Sequence, residues 1–372
     1  MRCEGRAPVE PPRRRRVHEI DGIRGWAAVS VLLFHFFATC LKHPVPFFGG
    51  PWFRAIADGP FAVLVFFLLS GDALATACIA SAPKARWRLV LGRWPRLVFP
   101  VAVSSLAVFL LMRIGWIFAG PASKVLGLED WLGSFLAFQP GWTGLLRYGL
   151  VDVFRHSNPA TDYNPFLWSM VTELRGSFLV FVDFFLFRRA PLRWHLALLA
   201  AMAAGFVVAG SHLCLFPVGI GVGLCRAQGV LDRWRTTTLG KWLGWILPAS
   251  VLLWLTFGNS PLETFRGVVA APLLVFGIHS NPPLLGFFRS RISRFLGRIS
   301  FPLYVLQFPI LVSLASYLYL QAASGGHLRT ATAVGISIAS CLVTGILAWA
   351  LSFLDEGYQR NLRGFLEGKW WK

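Results

Sequence analysis

One stretch, HEIDGIRGWAAVSVLLFHFFATC, sets Asp21, Arg24 and His35 into an otherwise apolar run. Ionisable side chains are costly in hydrocarbon, so they stand there mainly where they bind, pair or move protons. Arg24 and His35 are eleven residues apart. On a helix that is about three turns, roughly 16 Å, with both side chains on one face. Asp21 lies one turn before Arg24 on nearly the same face. Histidine titrates near neutral pH and suits proton transfer; arginine offers a fork of donors for an anion. A histidine deep in a bundle and an arginine at its rim therefore suggest a base beside an anion-binding group. The plainer reading assigns Arg24 to topological charge bias and His35 to a bond between helices.

Those residues need a membrane helix to carry them, and the composition supplies one. Apolar residues make up 55% of the chain and charged residues only 14%, with a mean hydropathy of +0.59. A soluble domain carries about 25% charged residues. The 33 phenylalanines and 16 tryptophans suit lipid-facing and interfacial positions. The net charge of +19 is dispersed over short loops between apolar spans, which excludes a nucleic-acid footprint and implies contact with anionic headgroups. The pattern predicts an all-α, polytopic bundle of about ten spans, at 22–41, 59–80, 97–119, 165–187, 195–210, 212–227, 242–258, 265–283, 299–321 and 331–353.

With the amino terminus in the cytosol, the basic segments at 13–16, 84–96, 188–193, 226–241, 289–298 and after Leu354 all fall on that side. Both termini are then cytosolic in an integral multi-pass membrane protein. The segment 131–150 is apolar but broken by Gln139, Pro140 and Gly141. A span there would invert every later loop, so a re-entrant or interfacial segment is expected, as a lid, an acceptor surface or simple loop. Residues 1–17 read as a disordered basic tail, 18–358 as the membrane domain and 359–372 as a second short basic tail. The six cysteines have no metal-ligand spacing, and no Walker loop, dinucleotide fingerprint or HExxH occurs. No metal and no tightly bound cofactor is expected.

Other polar groups interrupt the apolar background. Glu173, in LWSMVTELRGSFLVF, has either a ligand or proton-handling role, or a pairing role with Arg175 or a more distant arginine. Ser70, Gly71 and Asp72 form a notch in the second span, read chiefly as packing with a structural ion pair for Asp72. Arg93 and Arg96, nearest the hydrocarbon in RWRLVLGRWPRLVFP, are candidates for the phosphates of a cytosolic donor. Tyr304 and Gln307 share a face of the ninth span, as substrate contacts or as a self-satisfied pair.

These stretches resemble the membrane-bound acyltransferase-3 family, and its fungal members in particular. IDGIRGWAAVSVLLFH is similar to the family opening, with Arg24 and His35 at its arginine and histidine. FFLLSG at 66–71, RWPRLVFP at 93–100, LWSMVTELRGSFLVF at 167–181 and LGRISFPLYVLQFPI at 296–310 follow in family order. The resemblance implies O-acyl transfer from acetyl- or another acyl-coenzyme A to a hydroxyl of a carbohydrate, lipid or secondary metabolite. His35 and Arg24 would stand at the reactive centre with Glu173 in support. Two positions depart from the pattern: Gln307 stands where many members have histidine, and Asp72 where an apolar or aromatic residue is usual. Such a reaction needs a base for the hydroxyl proton and positive or hydrogen-bonding groups for the donor and the developing oxyanion. The rival reading is a proton-coupled transporter or export permease relaying protons through His35, Asp72 and Glu173. A transporter's internal repeat is not visible in the sequence.

Overall fold

The computed structural model describes residues 17–258, 263–324 and 328–368, and among them the chain is helical without a strand. The basic tail expected over 1–17 lies outside these residues except for Val17. Ten helices carry the architecture: α1 His18–Leu33, α2 Gly59–Ile79, α3 Pro83–Arg113, α4 Met170–Leu186, α5 Leu192–Val208, α6 Leu215–Ala227, α7 Thr238–Phe257, α8 Glu263–Ser280, α9 Arg291–Ile310 and α10 Thr330–Leu366.

Each predicted segment coincides with one of these helices. Six are long and apolar enough to cross a membrane, or eight if two bent pairs are each one span. The helices α4 and α5 have 17 residues each, and α4 carries Glu173, Arg175 and Asp183, which accounts for the difference from ten. In the bent pairs, the short helix Val230–Thr236 turns by 77° after α6, and Pro282–Phe288 turns by 100° after α8. The helix α10 runs unbroken to Leu366, so the tail expected from residue 359 begins as its last turns.

No spanning helix forms between α3 and α4. The chain makes the short helix Ala119–Leu126, a 3-10 turn at Leu132–Ser134, the helix Trp142–Arg147 and a π turn at Tyr148–Asp152. Gly127 ends the first of these in the left-handed conformation, at φ +66°.

Lipid tails are as apolar as leucine side chains, so close backbone approach decides which helices pair. Glycine supplies it here. A Cβ on Gly25 of α1 would lie 2.5 Å from the backbone nitrogen of Gly297, seating α1 on α9. A Cβ on Gly71 of α2 would lie 2.6 Å from the Phe216 carbonyl oxygen, seating α2 on α6. The segments containing α2 and α9 are the most enclosed, whereas α7 and α10 present most of their apolar surface outward, as lipid-facing helices do.

Candidate active site

His35 stands where α1 loosens into a π turn, Phe34–Thr39. Such turns widen the helix by one residue and recur at functional sites. The half-buried imidazole stacks on Phe166 with ring centroids 3.8 Å apart and 12° between planes. Trp131 lies parallel, 6.2 Å away, and Phe34 meets the ring edge-on.

Gln307 fixes the imidazole. Its Nε2 donates to the Tyr304 carbonyl at 3.0 Å, and a carbonyl can only accept. Its Oε1 therefore faces His35 Nδ1, at 3.1 Å. An amide oxygen also only accepts, so Nδ1 carries the hydrogen and neutral His35 keeps its lone pair on Nε2. That tautomer leaves Nε2 able to accept a proton.

The placement of Gln307 and Phe166 follows from a proline. Pro309 has no N–H, which leaves the Val305 carbonyl of α9 without its helical partner. Ser104 of α3 donates to that oxygen at 2.6 Å and Asn164 Nδ2 at 3.0 Å. Asn164 Oδ1 in turn accepts from the Phe166 N–H at 3.2 Å. The Tyr304 hydroxyl donates to the Phe166 carbonyl, so at the Tyr304–Ser169 contact of 2.9 Å the Ser169 hydroxyl is the donor. One vacancy in the α9 ladder thus ties α3, α9 and the turn before α4 into a frame around His35.

Glu173 is held elsewhere. Its carboxylate pairs with Arg93 and accepts from Ser70 at 2.7 Å, while Arg93 Nε donates to Ser177 at 2.8 Å. Arg175 instead donates to the Arg155 carbonyl at 3.0 Å. The partner oriented against His35 is thus Gln307, and Glu173 holds Arg93 between α3 and α4.

Arg24, Arg93 and Arg96 lie within electrostatic reach of one another. Arg96 donates to Gln359 at 3.1 Å. Arg24 is placed 5.9 Å from the Phe66 ring centroid, and its Nε is buried without a partner among the described residues. Arg363 also acts on Arg96, so four cations stand against two buried carboxylates, Glu173 and Asp355, which leaves the site short of negative charge.

The other sequence candidates have separate places. Asp72, fully buried, forms a bidentate pair with Arg226 of α6, at 2.5 Å to each oxygen, and Arg226 also contacts His279 Nε2 at 2.9 Å. Gly71 is a packing contact and Ser70 a partner of Glu173. Asp21 lines a cavity at the His18 end of α1. The sequence alone marks none of Trp131, Phe166 and His279, and it presents Arg226 only as the first charge of a basic segment. Among them only Arg226 had a signal, being a charge within reach of the apolar span that carries Asp72. Among the described residues no group of His, Cys, Asp and Glu is arranged to hold a metal ion.

The family model described as an acyltransferase domain matches residues 17–353. The chain belongs to the acyltransferase-3 family. It is also 22% identical over 430 residues to the O-acetyltransferase PaAT-1 of Phomopsis amygdali, covering 96% of this chain and 85% of that protein. No solved structure matches. As a member of the acyltransferase-3 family with several apolar helices, the protein is an integral membrane acyltransferase.

Proposed function

We propose that this protein transfers an acyl group, most simply acetyl, from coenzyme A to a hydroxyl of a carbohydrate, lipid or secondary metabolite within the bilayer. One observation carries the reading: Gln307 holds His35 in the tautomer that leaves Nε2 free to take a proton. In the reaction, Nε2 accepts the hydroxyl proton as the acceptor oxygen attacks the thioester carbonyl. The tetrahedral adduct collapses, the C–S bond breaks, and the thiolate leaves with the proton that the imidazolium returns.

Arg24 and Arg96 would receive the anionic part of the donor, since Arg93 is already matched by Glu173. With both termini in the cytosol, these arginines face the compartment in which a coenzyme A thioester is available. The fungal relative's printed activity, O-acetylation, supports oxygen as the acceptor atom. Aromatic rings of Phe166, Trp131 and Phe34 surround the imidazole and would keep water from the thioester.

The test is release of free coenzyme A by the purified protein in lipid nanodiscs, with acyl-coenzyme A donors of increasing chain length. Extracts of polar and of apolar metabolites serve as acceptors. Thiol release that depends on an extract, with a product heavier by one acyl group, is expected. Folded protein that releases no thiol with any donor and either extract contradicts the proposal.

A further inference from the structure

A cavity of about 370 Å³ opens between the His18 end of α1 and the start of α9, lined by His18, Asp21, Arg291, Arg294, Phe295 and Arg298. It lies apart from the His35 frame. Arg291, Arg294 and Arg298 follow one another at helical spacing and present a single basic stripe. Arg298 is matched by Glu356, at 2.7 and 2.8 Å. Neither the Arg291 nor the Arg294 guanidinium has a partner among the described residues, and together they outweigh Asp21. The cavity also sits at the first turn of α9, a 20-residue helix whose dipole adds positive potential there.

Phe295, which lines the cavity beside these arginines, is exposed by 45% of its surface, and Ile292, one turn before it on α9, by 67%. At a membrane surface apolar side chains meet the acyl region and arginines meet headgroups. Guanidiniums with an uncovered apolar side chain beside them match a ligand that has a phosphate and hydrocarbon tails. A water-soluble anion would leave Phe295 uncovered.

We propose that this cavity binds the phosphate headgroup of an anionic membrane lipid, held by Arg291 and Arg294, with the acyl chains lying over Phe295 and Ile292. Basic pockets between spanning helices bind such headgroups in other membrane proteins. The assignment is independent of the acyl-transfer reading.

The protein purified into phosphatidylcholine nanodiscs, with and without phosphatidic acid, provides the test, with bound lipid read by native mass spectrometry. Retention of phosphatidic acid is expected, and it should fall as salt rises. The double substitution Arg291→Gln with Arg294→Gln should weaken retention by about thirty-fold, since each surface arginine is worth about 1 kcal/mol toward an anionic lipid. The pair Arg291→Lys and Arg294→Lys keeps the charge and should keep most of the lipid, which also serves if the glutamine variant does not accumulate. Equal retention by the unmodified and glutamine proteins, or loss of lipid from the lysine protein, overturns the proposal. So does salt-insensitive retention. Displacement by soluble coenzyme A at the same two arginines, with no lipid retained, would make the cavity a donor site instead.

Discussion

Replacing Gln307 with leucine separates the orientation of His35 from its presence. The side chains are close in volume, so the frame around Val305 should persist. What is lost is the acceptor for His35 Nδ1–H at 3.1 Å and the donor to the Tyr304 carbonyl at 3.0 Å. Among the described residues only the Val31 backbone then remains to accept from the ring; losing such a side-chain partner costs about 1–3 kcal/mol, and here the cost falls on the tautomer that keeps Nε2 free. At 1.36 kcal/mol per factor of ten, turnover should fall by about 5- to 150-fold. Gln307→Glu keeps an oxygen toward Nδ1–H and should fall between the leucine variant and the unmodified protein. The assay is steady-state thiol release at saturating donor and acceptor, with kcat separated from the donor KM. A drop in kcat at unchanged donor KM is expected. A folded Gln307→Leu protein that turns over at the unmodified rate refutes the orienting role.

Three further outcomes follow from the packing and the charges. Glu173→Gln strands Arg93, a buried cation; breaking such a pair costs about 3–5 kcal/mol, so the melting temperature in detergent should drop clearly, and an unchanged melting curve would remove the pair from the account. Gly297→Leu places a side chain against the Asp21 backbone and should abolish accumulation of folded protein, whereas Gly335→Leu, with no heavy atom near its Cβ position, should accumulate normally; monodisperse elution of Gly297→Leu would contradict the α1–α9 contact. Single cysteines introduced at Arg189 and Arg233 should resist membrane-impermeant labelling until cells are opened, and labelling of either in intact cells reverses the expected topology.

The helices were legible because an apolar run long enough to span a bilayer is a one-dimensional property, and all ten predicted segments fall on helices. The broken stretch at 131–150 was equally readable, since Gln139, Pro140 and Gly141 leave no continuous apolar length. Partners were not legible. Gln307 meets His35 across 272 residues and Arg93 meets Glu173 across 80, and only helix packing decides such pairings. Family likeness put Glu173 in support of His35 and the residues alone left open a pair with a distant arginine, but only the packing identifies that arginine as Arg93, with Ser70 beside it. Gln307 is the converse case. A departure from the family's histidine looked like a missing group, yet its amide holds the imidazole. Trp131 and Phe166 look like ordinary aromatics until the π turn aims His35 at them.

The most direct test is single-turnover acyl transfer by folded His35→Ala protein in nanodiscs, with donor binding measured on the same sample. Loss of a general base typically costs about 10²–10⁴-fold in rate. A loss of that size is expected, with donor binding and helix content retained. Transfer at the unmodified rate by folded His35→Ala protein would contradict the general-base role, whatever the family to which the chain belongs.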